Sequence, residues 1–519
     1  MIKKELNEFF KYCKKEKILC FCSVICLFVI FGSRLFTQNI SVDTEVLILD
    51  PTSNYNWLDI GRYGLVFIKD ILGLYSYNPY YSAGIFFILS IISTLFWLYL
   101  IDKYTNNKNK LLQLLSIFII FANTIYTEQF YFTLQRVGIM AGILLVLISS
   151  HLSYQYTINN KKIYALVSIF LNTIVFSIYQ SFIALYLSLI IGIYILQNNH
   201  ITYNNSKIEF EKLKKIIIEL GSIFLISYFI FSILSKIFIN FEYLTSSIRW
   251  TKQSFGSVVV HIILIIGYIL VINNKFYDWS LLIIGLLMFV TQIKVVKGKN
   301  IVNKFRCIIS SILLLLTPFL IIIYSGSYQA VRTYINLPFV VSLCFFIVND
   351  NINLIFNGER IKKTLGCILT FVFVFFSFKQ YHMSSRLYYA DDIVNNYDKE
   401  LSLSIYEDAL SKVNNDKYHL IIIGNTNYVL PSSAQVGDMI GKSIFNVHSD
   451  VEPLYYWSNI RIQKNINING FNGFDYPSKE MVSYALQYLK DNPDIPVYPN
   501  LDSIVIVDDL VIVKLSDEF

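Results

Sequence analysis

The sequence predicts an α-helical polytopic membrane protein of about eleven transmembrane helices, followed by a small C-terminal α/β domain. Three observations carry this. The 519 residues are 55% hydrophobic and only 15% charged, where a soluble chain would carry nearer a quarter. Mean hydropathy is +0.52, and the apolar stretches are long enough to span a bilayer, which takes roughly 20 residues each. Polar, charged and turn-forming residues concentrate beyond residue 380.

In chain order, the basic segment MIKKELNEFFKYCKKEK (1–17) is expected to stay cytoplasmic, since lysine and arginine favour that side. Residues 18–36 read as the first span. They are too long for a signal core and lack a small-residue cleavage site, so the span should remain as an anchor. Further spans are expected at 82–101, 111–126, 137–155, 163–178, 181–197, 216–238, 257–272, 278–293, 307–324, 333–349 and 364–379. The basic loops at 102–110, 159–162, up to Lys215, 298–306 and 357–363 should be cytoplasmic.

One conflict arises. Residue 240 should be outside and residue 300 inside, yet two apolar stretches separate them. One of these, 257–272 or 278–293, is expected to be re-entrant, or the two to pack as half-helices. Broken backbone at membrane depth needs such shielding. Eleven crossings put the N-terminus inside and the tail outside; twelve would bring the tail into the cytoplasm.

The tail, 381–519, has its own pattern. SSRLYYADDIVNNYDKELSLSIYEDALSKV has apolar residues at helical spacing. YHLIIIGN reads as a buried strand. SKEMVSYALQYLKD reads as a helix capped by Ser478, with Met481, Ala485 and Leu489 on one face. SIVIVDDLVIVKLS reads as a hairpin turning at Asp508 and Asp509, and the Asn- and Gly-rich run 463–473 as loop. The expected organisation is a cytoplasmic N-terminus (1–17), a transmembrane unit (18–380) with an outer loop at 37–81, and a soluble extracytoplasmic unit (381–519).

Composition also excludes functions. The net charge of +7 sits in short loops, so no nucleic-acid partner is expected. The seven cysteines lie in or beside spans, with no disulfide or zinc spacing. The six histidines, His200 and His261 among them, form no ligand set. No P-loop, GxSxG or GxGxxG stands in a supportive context, so ATP and nicotinamide are not expected.

The chemistry-bearing residues gather on the predicted outer side. Asp43 and Glu45 follow the first span. Two residues apart in an extended loop, they would project to one side. Such a pair serves as general base and orienting partner, or binds a divalent cation. WLDIGRYGLVFIKDILGL (57–74) reads as an interfacial helix, with Leu58, Leu65, Ile68 and Leu72 at helical spacing. Arg62 near its start suits a phosphate, and equally suits lipid headgroups. The loop NTIYTEQFYFTLQR (123–136) offers Glu128 and Arg136. The hinge SIYQSF offers Tyr179 and Gln180, and SGSYQAVRTY offers Arg332. Few charges fall mid-span, unlike the ionisable midplane of an ion-driven transporter.

This order of features resembles the GtrII-type bacterial glucosyltransferases, multi-span enzymes of the GT-C broad class. The residues concerned are the basic N-terminus, one span, SVDTE, then N-x-W-x-x-x-GR-x-G-x-x-F and NPY. Glu128 to Phe132, the YQS at Tyr179 to Ser181, Arg332 and the closing strand pair continue the match. The resemblance implies transfer of a hexose, usually glucose, from a polyprenyl-phosphate carrier to a surface polysaccharide of O-antigen type. The reaction would occur at the outer face of the bacterial cytoplasmic membrane. By analogy Asp43 would be the base and Glu45 its orienting partner or a metal ligand. Arg62, Arg136 and Arg332 would meet the phosphate, and Glu128, Tyr179 and Gln180 the sugar. No organic cofactor is implied; a divalent cation at Asp43 and Glu45 stays open. The alternatives are a polymerase or ligase using lipid-linked oligosaccharides, and a non-enzymatic glycolipid flippase.

Overall fold

The computed structural model describes residues 2–37, 39–106, 108–199, 206–238, 248–273, 276–297, 299–413, 418–448 and 453–519. Residue 240, expected outside, and His200 lie outside these.

Helices dominate the chain. In order they are α1 (Ile2–Lys15), α2 (Lys17–Phe36), α3 (Thr44–Leu49), α4 (Tyr63–Ile71), α5 (Pro79–Tyr104), α6 (Lys110–Phe121), α7 (Thr124–Tyr131), α8 (Thr133–Asn159), α9 (Lys162–Ile178), α10 (Phe182–Asn198) and α11 (Ser206–Phe238). The second half holds α12 (Phe255–Gly267), α13 (Ser280–Val295), α14 (Ile301–Leu316), α15 (Leu320–Ser325), α16 (Leu337–Ile355), α17 (Glu359–Ser411), α18 (Tyr456–Ile468) and α19 (Lys479–Asp491). Side-chain caps set several starts, as expected where the first N–H groups lack partners. Asn78 accepts from Tyr81 N before Pro79 opens α5, Asn109 starts α6 and Asn123 starts α7.

Among the described residues, eight helices are long and apolar enough to cross a membrane, or nine if α6 and α7, bent by 48°, form one span. The expected eleven differs from this. Three of the expected spans, α9, α10 and α13, hold only 17, 17 and 16 residues. That is about 25 Å of helix against ~30 Å of hydrocarbon. The stretch Phe255–Ile272 is long enough, yet both its ends stay beside one loop. Val258 packs on Gly326, and Tyr268 meets Tyr328 with ring centroids 6.1 Å apart. Thr124 then donates to the Phe276 carbonyl. This segment runs along one end of the bundle.

The polar contacts sort into two ends. At the first, Glu5 of α1 meets Lys103 at 3.0 Å and His151 at 2.9 Å, and Asp102 holds Lys108 and Lys110. Arg306 donates to the Asn198 carbonyl there. At the second end lie the 37–81 loop, α7, the 179–181 hinge, the 326–336 loop and the tail.

In the tail, β1 (His419–Ile423) pairs in parallel with β3 (Leu510–Lys514), which pairs antiparallel with β2 (Ile504–Val507). Alternate residues face opposite sides. Leu420, Ile422, Val511 and Val513 pack with Ile462 and Ile466 of α18, and Ile421, Ile423 and Ile512 with Val482, Ala485 and Leu489 of α19. Ser478 caps α19 by accepting from Met481 N, and Asp508 turns the hairpin at φ +54°.

Four local expectations are corrected. The 123–136 loop is mostly helix, α7 and the start of α8, closed by the Asn123 cap. The interfacial helix begins at Tyr63, because Pro51–Trp57 winds as a separate 3-10 turn and Gly61 adopts φ +74°. Residues 463–468 are helix, since Ile462 and Ile466 are buried one turn apart. The last expected span and the first tail helix are one 53-residue helix, α17.

Candidate active site

The loop after α2 is pinned to the start of α8. The Ser41 hydroxyl lies 2.6 Å from that of Thr44 and 3.2 Å from that of Thr133, and Val42 N donates to the Tyr131 hydroxyl at 3.3 Å. Between these anchors Asp43 adopts φ +74°, ψ −11°. A non-glycine residue pays roughly 1–3 kcal/mol for such backbone, a strain found most often at functional sites. The turn sends the chain straight into α3. Glu45 in the first turn thereby comes back to Asp43, whose N–H donates to Glu45 Oε1 at 3.2 Å. The acids converge through this turn, and not through the extended backbone expected from their spacing.

Arg461 completes the group. Its Nη2 lies 3.0 Å from Asp43 Oδ1 and its Nε 3.6 Å from Glu45 Oε1. Helix α18 turns Ile462 and Ile466 into the tail core and leaves Arg461 on the face toward α3. The two acids differ in setting: the Asp43 side chain is 44% exposed and that of Glu45 4%. Burial pushes the Glu45 carboxyl up to about 7, and the neighbouring Asp43 charge pushes the same way against Arg461. A guanidinium already stands between the two carboxylates. The pair as placed does not fit a divalent cation, and no group of three His, Cys, Asp or Glu suited to a metal occurs among the described residues.

Arg62 stacks between Trp57 and Tyr179, 5.0 and 4.8 Å from the ring centroids, and its Nη1 lies 3.2 Å from Gln135 Oε1. Gln180 donates to the Ile60 carbonyl at 3.3 Å. Arg62, Tyr179 and Gln180 therefore form one group, whereas the expectation set Arg62 with Arg136 and Arg332, and Tyr179 and Gln180 with Glu128. Close packing brings it about. A Cβ on Gly64 would collide with Ser177 and Ile174 of α9, and one on Gly138 of α8 with Leu65. The first turn of α8 joins this group to the acids, because Gln135 holds Arg62 while Thr133 holds the acid loop. Arg136, next on that turn, donates to Ser82 Oγ at 3.3 Å and the Pro79 carbonyl at 3.1 Å.

Glu128 and Arg332 belong to a second group. Glu128 is fully buried, and its carboxylate accepts from the backbone N–H groups of Asp438, Met439 (3.1 Å) and Ile440 (3.4 Å). It clamps a tail loop and offers no open edge to a sugar. Arg332 stacks on Phe132 at 4.5 Å, and Val331 N donates to Asp438 Oδ2 at 3.1 Å.

Sequence reasoning missed two tail contacts. One is Arg461. The other joins Arg34 of α2 to Asp391 at 2.5 Å and Asp392 at 3.1 Å, with Tyr388 beneath the guanidinium at 4.6 Å. Arg34 carried a signal, being a cation at the end of an apolar span. Arg461 carried none, inside an Asn-rich run.

A family model described as glucosyl transferase GtrII matches residues 32–349, more than half of the chain. No curated protein and no solved structure matches. The matched segment contains Asp43, Glu45, Arg62, Glu128, Arg136, Tyr179, Gln180 and Arg332. Asp391, Asp438 and Arg461 lie beyond it.

Proposed function

The chain belongs to the GtrII glucosyl transferase family, and from that premise we propose that it moves glucose from a polyprenyl-phosphate carrier to a cell-surface polysaccharide of O-antigen type. Transfer would take place on the outer face of the bacterial cytoplasmic membrane, with the N-terminus inside and the tail outside. One observation supports this above the others. Two carboxylates and an arginine meet at 3.0–3.6 Å, at the bundle end that also holds Arg62, Tyr179 and Gln180. A lipid-borne donor must reach the site sideways from the bilayer, and a polar acceptor must reach it from water.

In this reading Asp43, the more exposed acid, takes the proton of the acceptor hydroxyl as that oxygen bonds to the anomeric carbon. The bond from that carbon to the phosphate oxygen breaks, and the electron pair leaves with the phosphate. Glu45 accepts from Asp43 N and so fixes the turn that presents the base. Arg461 holds the Asp43 side chain in place through its 3.0 Å ion pair. Arg62 is the favoured counter-charge for the leaving phosphate, because Gln135 ties it to the helix turn that anchors the acid loop.

The test is Asp43→Asn in membranes, assayed with polyprenyl-phosphate glucose and the isolated polysaccharide. Transfer should fall at least ~100-fold with an unchanged thermal midpoint. Full activity would overturn the assignment.

A further inference from the structure

A buried cation is costly unless anions or carbonyls receive its protons. Among the described residues the buried arginine and lysine side chains are Arg34, Lys69, Arg136, Arg306 and Lys514. Four are provided for. Arg34 has Asp391, Arg136 has Ser82 and the Pro79 carbonyl, Arg306 has the Asn198 carbonyl, and Lys514 has the Pro493 and Ile495 carbonyls. Lys69 is 2% exposed, and its Nζ makes no hydrogen bond.

Its position gives that orphan a meaning. Lys69 lies on α4, one turn after Leu65, which packs on Gly138 of α8. The same short helix exposes Phe67 and Ile71, at 51% and 65%. So α4 presents apolar side chains outward and keeps inward an ammonium that has no hydrogen-bond partner and only the neighbouring Asp70 charge acting on it. The 3-10 turn Pro51–Trp57 packs on α4 and holds a second orphan. Asn54 there is 1% exposed, with neither amide atom bonded. Burial lowers Lys69 to about 8, so at neutral pH it is still mostly protonated.

We propose that Lys69 is a second counter-charge, besides Arg62, for the phosphate of a polyprenyl-phosphate lipid that enters alongside α4. An ammonium offers three donors and no acceptor, and a terminal phosphate offers the matching oxygens. A phosphate on a lipid tail also suits a helix with one apolar face outward and one cation inward. This rests on the carrier-lipid reading of the reaction and assigns its anion to a residue.

The test uses the full-length protein in zwitterionic nanodiscs, titrated with a short-chain polyprenyl phosphate that carries no sugar. Lys69→Met should weaken binding at least tenfold, and Lys69→Arg should keep most of it. The thermal midpoint of Lys69→Met without added lipid should hold or rise, because a buried ammonium without a hydrogen-bond partner is removed. Equal affinity in Lys69→Met overturns the proposal. So does displacement by phosphatidylglycerol or inorganic phosphate as effective as displacement by polyprenyl phosphate, since the site would then not read the carrier. Asp43→Asn should bind the sugar-free lipid normally. Normal transfer by Asp43→Asn would thus sink the catalytic reading and leave the Lys69 result standing.

Discussion

Arg461 and Asp43 stand 418 positions apart in the chain and 3.0 Å apart in space. The acid lies within the family-matched segment and the arginine beyond it. A residue of the tail therefore brings a positive charge against both acids.

Arg461→Ala is expected to slow sugar transfer by about tenfold or more, equivalent to ~1.4 kcal/mol of lost stabilisation. Arg461→Lys should recover only part, because a point charge does not bridge two carboxylates as a guanidinium does. Initial rates for the two variants check this; wild-type rates in both would remove Arg461 from the site.

Glu45 predicts a pH effect. Its folded value, about 7, lies above the ordinary 4.5. The protonated form is favoured in the folded state, so that contribution is fully present below about 4.5 and lost as pH rises through 7. Its size is of order 3 kcal/mol. The thermal midpoint in detergent should fall across this window, and Glu45→Gln should flatten that part of the curve. An unchanged slope in Glu45→Gln would show that the burial is not felt.

Arg34→Ala leaves Asp391, with a 7% exposed side chain, without its guanidinium. Removing one partner of a buried pair costs about 3–5 kcal/mol. A drop of several degrees in the midpoint is expected, and adding Asp391→Asn should return part of it. Additive losses in the double variant would argue against the pair.

The Glu128 clamp should be sensitive to one methyl group. A Cβ on Gly437 would fall on Glu128 Oε1 and crowd Ile440. Gly437→Ala should lift the loop and leave three N–H groups unpaired, each worth about 1–3 kcal/mol. Limited proteolysis should then cut near 437–441 while α17 stays intact. Resistance equal to wild type would contradict the geometry.

The apolar helices were legible because length and hydropathy alone define them. The acids and Arg62, Tyr179 and Gln180 were legible because each lies at a helix end next to an apolar run. Other features depended on distant neighbours. Residues 463–468 read as loop on composition, but the burial of Ile462 and Ile466 against the sheet decides their helix. The change from apolar to polar near residue 380 read as a boundary, yet backbone hydrogen bonds continue regardless of what the side chains face. Glu128 read as a sugar ligand because the loop that covers it lies more than 300 residues further on.

Helix α17 has a mechanical consequence. Its 53 residues make a rod of about 80 Å, with one end among the apolar helices and the other under the tail sheet. A rod without a break has no hinge, so the tail cannot swing clear of the acid pair as a flap would. Any opening must tilt the whole strut or stretch the Arg34 and Glu128 fastenings. Spin labels at Ile368 and Glu407 should accordingly report one narrow distance through the catalytic cycle, with motion confined to the loops packed against the rod.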